Sequence, residues 1–137
     1  MKIFGKYPTT RLMRNRSSKW IRKLVSENTL TTGDLILPLF VCEGNNKEEK
    51  IKNMPGIFRY SVDKIEKKIN EARKLKIPLV ALFPHISNKK KDQTGSEALN
   101  PDNLICKVLK RLKKNNDIGI MCDVALDPYT SHGHDGV

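Results

Sequence analysis

Between Asp123 and Asp135 the sequence gathers groups able to hold a proton, a cation or an amine. They are the carboxylates of Asp123, Asp127 and Asp135 and the imidazoles of His132 and His134, set among Gly133 and Gly136. The stretch opens as a short apolar, β-branched run over residues 118–126, of the length and composition expected of a buried strand. Asp123 interrupts that run. A carboxylate inside a buried strand loses hydration worth several kcal/mol unless a cation, a metal or a hydrogen bond compensates, so Asp123 is expected to have a use. A satisfied structural carboxylate is the plain alternative. Pro128 ends the strand, and the loop beyond it lies at a strand's carboxyl end, where α/β folds build their sites. Asp127 and Asp135 offer oxygen donors, which suit magnesium or an ordered water better than zinc. Two imidazoles one residue apart make an incomplete zinc site, so His132 and His134 read as loop-ordering and hydrogen-bonding groups.

These side chains need elements to position them, and a β-α rhythm supplies them. Residues 35–41 form a continuous apolar run around Pro38 and read as the first strand, the proline being tolerable where no ladder donor is needed. Residues 43–60 are polar and turn-rich and read as loop. Ser61 is expected to cap a helix with Val62, Ile65, Ile69, Ala72 and Leu75 on its apolar face, and Pro78 closes it. A second strand at 79–83 is apolar throughout, as a strand covered on both sides should be. A long polar loop over 84–99 carries His85, the run Lys89, Lys90 and Lys91, and Ser96 and Glu97. Asn100, with Pro101 in the first helical position and Asp102 in the first turn, is expected to cap the next helix. That helix buries Leu104, Ile105, Val108, Leu109 and Leu112 and stops at Asn115 and Asn116. The third strand follows at 118. Ahead of all this, residues 1–32 form a basic arm: Lys2, Lys6, Arg11, Arg14, Arg16, Lys19, Arg22 and Lys23 face Glu27 alone. Ser17 or Ser18 caps a short arm helix with Trp20, Ile21, Leu24 and Val25 on one face, too short to persist undocked. The organisation is therefore 1–32 as arm and 33–137 as α/β domain with a parallel sheet.

Composition narrows the classes. The 137 residues are 38% hydrophobic, enough for one domain with a core. No apolar run approaches the roughly 18 residues of a membrane span, and the N-terminus has no apolar signal region. Cys42, Cys106 and Cys122 lie in apolar runs at wide spacing, which reads as free thiols in a reducing cytoplasm. The net charge of +11 comes mostly from lysines scattered over helix faces. A nucleic-acid footprint concentrates cations with interleaved aromatics, and here only Lys89–Lys91 forms a run. A basic nucleic-acid-binding module stays as the minor alternative, with steep salt dependence as its signature.

The motifs resemble one family. Asp-Val-Ala-Leu-Asp-Pro-Tyr-Thr-Ser-His-Gly-His-Asp-Gly over 123–136 is similar to the metal-site signature of 5-aminolevulinate dehydratase, also called porphobilinogen synthase. Leu35-Ile-Leu-Pro-Leu-Phe-Val-Cys-Glu-Gly44, Met54-Pro-Gly56, Ile77-Pro-Leu-Val-Ala-Leu-Phe-Pro84, Gly95-Ser-Glu-Ala98 and Asn100-Pro-Asp102 follow in family order, from about Arg11 to the last residue. The resemblance implies an incomplete (β/α)8 barrel, since a whole one typically takes about 250 residues. It implies condensation of two 5-aminolevulinate molecules, with loss of water, into porphobilinogen for haem synthesis. It makes Asp123 the strand carboxylate that faces substrate, with His132 and His134 supporting. Cysteines of the zinc-dependent branch stand where this chain has Ala125, Asp127 and Asp135, which places the chain with the magnesium-using branch and makes Asp127 and Asp135 the metal candidates. The two lysines that form Schiff bases in the family lie downstream of this loop. The chain is thus expected to be an N-terminal portion, inactive alone, of an enzyme whose arm embraces a neighbour in a homo-octamer. A degenerate, non-functional gene product is the other reading of such a piece.

Overall fold

Five strands pair into one sheet: β1 (Ile36–Cys42), β2 (Glu48–Lys50), β3 (Phe58–Ser61), β4 (Leu79–His85) and β5 (Gly119–Cys122), in the order β2-β3-β1-β4-β5. A computed structural model describes residues 5–6, 8–10, 13–113 and 117–136. Lys2, Arg11, Asn115 and Asn116, named above for the arm and the helix end, lie outside the described residues. β1, β3, β4 and β5 run parallel, and β2 is antiparallel to β3. Pro38 is tolerated inside β1 for the expected reason. β3 joins β1 only from Phe40 onward, so at Pro38 the strand has β4 on one side and no strand on the other.

Helices α2 (Val62–Lys74) and α3 (Leu104–Leu112) connect the parallel strands. Both pack on one face of the sheet. Ile65, Ile69 and Ala72 of α2 and Leu104, Ile105, Val108 and Leu112 of α3 are buried there against Leu39, Val41, Val80 and Leu82. The alternation of a strand sends Ile36, Phe40, Phe83 and Met121 to the opposite face. That face is only partly covered: Phe40 and Phe83 are half-buried, Ile36 and Met121 exposed.

Four local readings need correction. Residues 43–60 are not all loop, because β2 and β3 form within them. Ser61 occupies the N-cap of α2 but makes no capping bond; its hydroxyl accepts the Lys47 N–H at 2.8 Å and so ties β3 to the segment before β2. Asn103, not Asn100, caps α3, accepting the Cys106 N–H at 2.9 Å. Asn100 accepts the Asp102 N–H at 2.9 Å in a tight turn one step earlier. Leu75 follows α2 at its C-cap and is exposed, beyond the reach of the helix's buried stripe.

The chain divides into two compact units, one ending at Leu30 and the other beginning at Thr31. In the first, α1 (Lys19–Leu24) starts at Ser18, whose hydroxyl accepts the Ile21 N–H at 3.4 Å. Trp20 and Leu24 on this helix are 69% and 76% exposed. No helix among the described residues is long and apolar enough to cross a membrane.

Candidate active site

At the carboxyl ends of β1 and β4 the rings of Phe40 and Phe83 meet with centroids 5.8 Å apart. They floor a cleft of about 520 Å³ on the helix-free face of the sheet. Arg59, paired with Phe40 across the β1–β3 register, lines one wall. Its neighbours Phe58 and Tyr60 turn toward the hydrophobic core, which leaves the alternate position to the cleft. His85 and Lys91 enter from the end of β4 and the loop beyond it, and Asp123 and Asp127 from the segment after β5. Burial, then the positive charges of Arg59 and Lys91, pull the His85 imidazole below its ordinary pKa.

Asp123 is not inside a strand. β5 pairs with β4 only as far as Cys122, opposite Leu82, and Asp123 stands just beyond, exposed. The strand is shorter than the expected 118–126, since its ladder with β4 runs from Gly119 to Cys122. The desolvation cost read into Asp123 from sequence is absent here. The alternation along β5 still gives it the same face as Met121, toward the cleft.

The loop after β5 is ordered by its own polar groups. Asp135 Oδ1 accepts the N–H of Leu126 at 2.7 Å and of Asp127 at 3.0 Å, drawing the two proposed ligand positions into one turn. Buried Thr130 donates its hydroxyl to the His134 carbonyl at 2.9 Å. His132 Nδ1 accepts the His134 N–H at 3.3 Å, and its Nε2 lies 3.2 Å from the Gln93 carbonyl oxygen. A carbonyl only accepts, so Nε2 carries the hydrogen. Both ring nitrogens are engaged, which leaves His132 no lone pair for zinc. The His134 ring stacks on it at 5.9 Å. Among the described residues no group of three His, Cys, Asp or Glu side chains comes together to hold a metal. Asp127 and Asp135 are brought to one turn, and Ala125 adds no donor.

A second clamp joins this loop to the one after β4. The Asp92 N–H reaches the Tyr129 carbonyl at 3.3 Å, and the Ser131 N–H reaches the Asp92 carbonyl at 2.7 Å. The Asp92 carboxylate accepts the Ser96 hydroxyl, the Ser96 N–H at 3.1 Å and the Thr94 N–H at 2.9 Å. Those bonds, the Ser96 hydroxyl first, hold its pKa at about 2. Glu97 lies 3.5 Å from the Lys90 ammonium, which also reaches Glu43 after β1 at 2.5 Å. Ser96 and Glu97 are thus loop-ordering residues. Sequence reasoning missed Arg59, which sat in a segment read as loop, and Asp92. The alternation Phe58-Arg59-Tyr60-Ser61 was the strand signal available. Of the three thiols, Cys42 is buried and Cys106 and Cys122 are half-buried, all unpaired.

Comparison with known proteins agrees with this geometry. The delta-aminolevulinic acid dehydratase family profile matches residues 9–137. The chain is 54% identical over 125 residues to the delta-aminolevulinic acid dehydratase of Bradyrhizobium diazoefficiens, covering 90% of this chain and 35% of that protein. It is 46% identical over 133 residues to the enzyme of Methanothermus sociabilis, covering 96% of this chain and 41% of the relative. Among solved structures it superposes with a TM-score of 0.84 and 40% identity on the Toxoplasma gondii delta-aminolevulinic acid dehydratase crystallised with its product porphobilinogen, over 93% of this chain and 36% of that one. The chain therefore spans between about a third and two-fifths of the length of the relatives it matches. Its five-stranded α/β sheet is the corresponding part of an incomplete barrel, and the chain belongs to the delta-aminolevulinic acid dehydratase family.

Proposed function

We propose that the full-length protein carrying this chain is a porphobilinogen synthase, condensing two molecules of 5-aminolevulinate with loss of water in the cytoplasm, on the route to haem. The observation that carries this reading is the cleft at the strand ends, where Asp123 and the loop 126–136 converge on an aromatic floor. Asp123 receives the substrate's ammonium group or a proton, as an exposed carboxylate at the cleft can. His132 and His134 support the loop: the first by its two hydrogen bonds, the second by stacking and by its backbone. Asp127 and Asp135 fit a magnesium ion with water completing its shell, since they share a turn and offer oxygen alone. Such an ion would polarise a bound oxygen. The Schiff-base lysines that the family uses lie downstream of this stretch, so residues 1–137 supply only part of the site. The exposed apolar residues of α1 fit an arm that packs on a neighbouring subunit of a homo-octamer.

The test is pyrrole formation from 5-aminolevulinate. The purified full-length protein should form porphobilinogen, Asp123→Asn should abolish it, and residues 1–137 alone should form none. A full-length protein that consumes no 5-aminolevulinate overturns the reading.

A further inference from the structure

We propose that Asp92 is a positioning residue for the condensation, one that folds the turn 92–97 into the support of the loop 126–136 and thereby fixes where Asp127 and Asp135 stand. The proposal rests on the reading of that loop as part of the 5-aminolevulinate site, and it adds a residue that does not line the cleft.

At Cys122 the ladder with β4 has ended, so the place of the loop depends on other bonds. Among the described residues, the hydrogen bonds that tie the loop to another part of the chain all land on Asp92 and Gln93. The Asp92 N–H donates to the Tyr129 carbonyl at 3.3 Å, and the Asp92 carbonyl accepts the Ser131 N–H at 2.7 Å. The Gln93 carbonyl accepts from His132 Nε2 at 3.2 Å. Asp92 and Thr130 thus form a parallel bridge. Inside the loop the placement is passed on. The Leu126 carbonyl accepts the N–H of Tyr129 at 2.8 Å and of Thr130 at 3.0 Å, and the Asp135 carboxylate accepts the N–H groups of Leu126 and Asp127. A shift at 129–131 therefore moves both acidic positions. Asp123 directly follows the paired end of β5 and stays with the strand.

The Asp92 side chain shapes the support. Its Oδ1 accepts the Thr94 N–H at 2.9 Å and the Ser96 N–H at 3.1 Å, and its carboxylate also takes both hydroxyls. These bonds close the turn around Gly95, which is buried and sits in the left-handed region at φ +66°. A Cβ at Gly95 would stand 3.4 Å from Thr130, 3.5 Å from Leu126 and 3.6 Å from Tyr129. The turn thus meets the loop with bare backbone, already at contact distance. Displacing reacting groups by about 1 Å can cost on the order of 10²-fold in rate, so a turn that lets the loop drift should cost turnover.

Variants of the full-length protein test this. Asp92→Ala removes the carboxylate acceptors of the turn and should lower kcat about tenfold or more. KM for 5-aminolevulinate should stay within about threefold, because Asp123 keeps its place. Asp92→Asn retains Oδ1 for the Thr94 and Ser96 N–H groups and should recover most of the lost turnover. Ile65→Ala, which weakens the core under α2, should lower Tm and leave the kcat of the folded enzyme unchanged, so lost stability alone does not imitate the effect. Hydrogen exchange followed by mass spectrometry should accelerate about tenfold or more over 126–136 in Asp92→Ala and stay unchanged over 79–85. Should Asp92→Ala fail to fold, Ser96→Ala removes a single donor and should show both effects at smaller size. Wild-type kcat with wild-type loop exchange in the folded variant overturns the positioning role. Turnover lost equally in Asp92→Asn and Asp92→Ala, without faster exchange of the loop, overturns it as well. A wild-type protein that consumes no 5-aminolevulinate overturns the function itself, whereas an active wild type with an undisturbed Asp92→Ala overturns the positioning role alone.

Discussion

Replacing Asn103 by alanine tests how the loop after β4 hands over to α3. Asn103 is 5% exposed, accepts the Cys106 N–H at 2.9 Å and donates Nδ2 to the Ala98 carbonyl at 3.3 Å. Loss of a helix N-cap costs about 1 kcal/mol, and the longer second bond adds about 0.5 kcal/mol. The sum, about 1.5 kcal/mol, corresponds to a fall in Tm of roughly 6–12 °C for a domain near 100 residues. Asn100→Ala removes only the acceptor of the Asp102 N–H and the contact with Glu97, for about 0.5 kcal/mol. Asn103→Asp keeps the capping oxygen and should lose little more than the Ala98 bond. Urea unfolding followed by circular dichroism ranks the three variants, and hydrogen exchange of the Cys106 and Lys107 amides reports the cap directly. Asn100→Ala more damaging than Asn103→Ala, or Cys106 exchange unchanged in Asn103→Ala, would refute the placement of the cap and restore the start of α3 expected from sequence.

Three further outcomes are expected. Ser96→Ala should raise the Asp92 pKa from about 2 toward the ordinary carboxylate value. Because the native value is depressed, Asp92's contribution is complete above pH 4 or so and disappears as pH falls toward about 2; in the variant it should disappear at higher pH, and a carbon-detected titration with an unchanged midpoint would contradict this. Ile65→Ala removes a fully buried side chain where α2 meets the sheet and should cost about 3 kcal/mol in chemical unfolding, with less than about 1 kcal/mol counting against that packing. In the full-length protein, zinc chelators should leave activity nearly intact and elemental analysis should find no stoichiometric zinc, since Ala125, Asp127 and Asp135 provide no thiolate; activity restored by zinc alone would reverse the metal assignment.

Local order along the chain was legible in the residues. The apolar runs at 35–41 and 79–83 became β1 and β4, and the stripe Ile65, Ile69, Ala72 became the buried face of α2. Both signals depend only on side-chain period, which a sequence carries explicitly. The concentration of Asp123, Asp127, His132, His134 and Asp135 after a strand was likewise visible before any fold, and so was the family. What the sequence could not determine was pairing. β2 and β3 are three and four residues long, so the single alternation at Phe58–Ser61 was too brief to outweigh the turn residues around it, and β3 pairs with β1 from Phe40 onward. That pairing alone carries Arg59 to the cleft. The end of β5 was decided by its partner as well: the apolar run continues to Leu126, but the ladder with β4 stops at Cys122. Asp123 therefore meets solvent, not a strand interior. The choice of Asn103 over Asn100 as cap has the same origin. Both are good capping residues, and only the packing of Leu104 and Ile105 into the core sets where the first helical turn must begin.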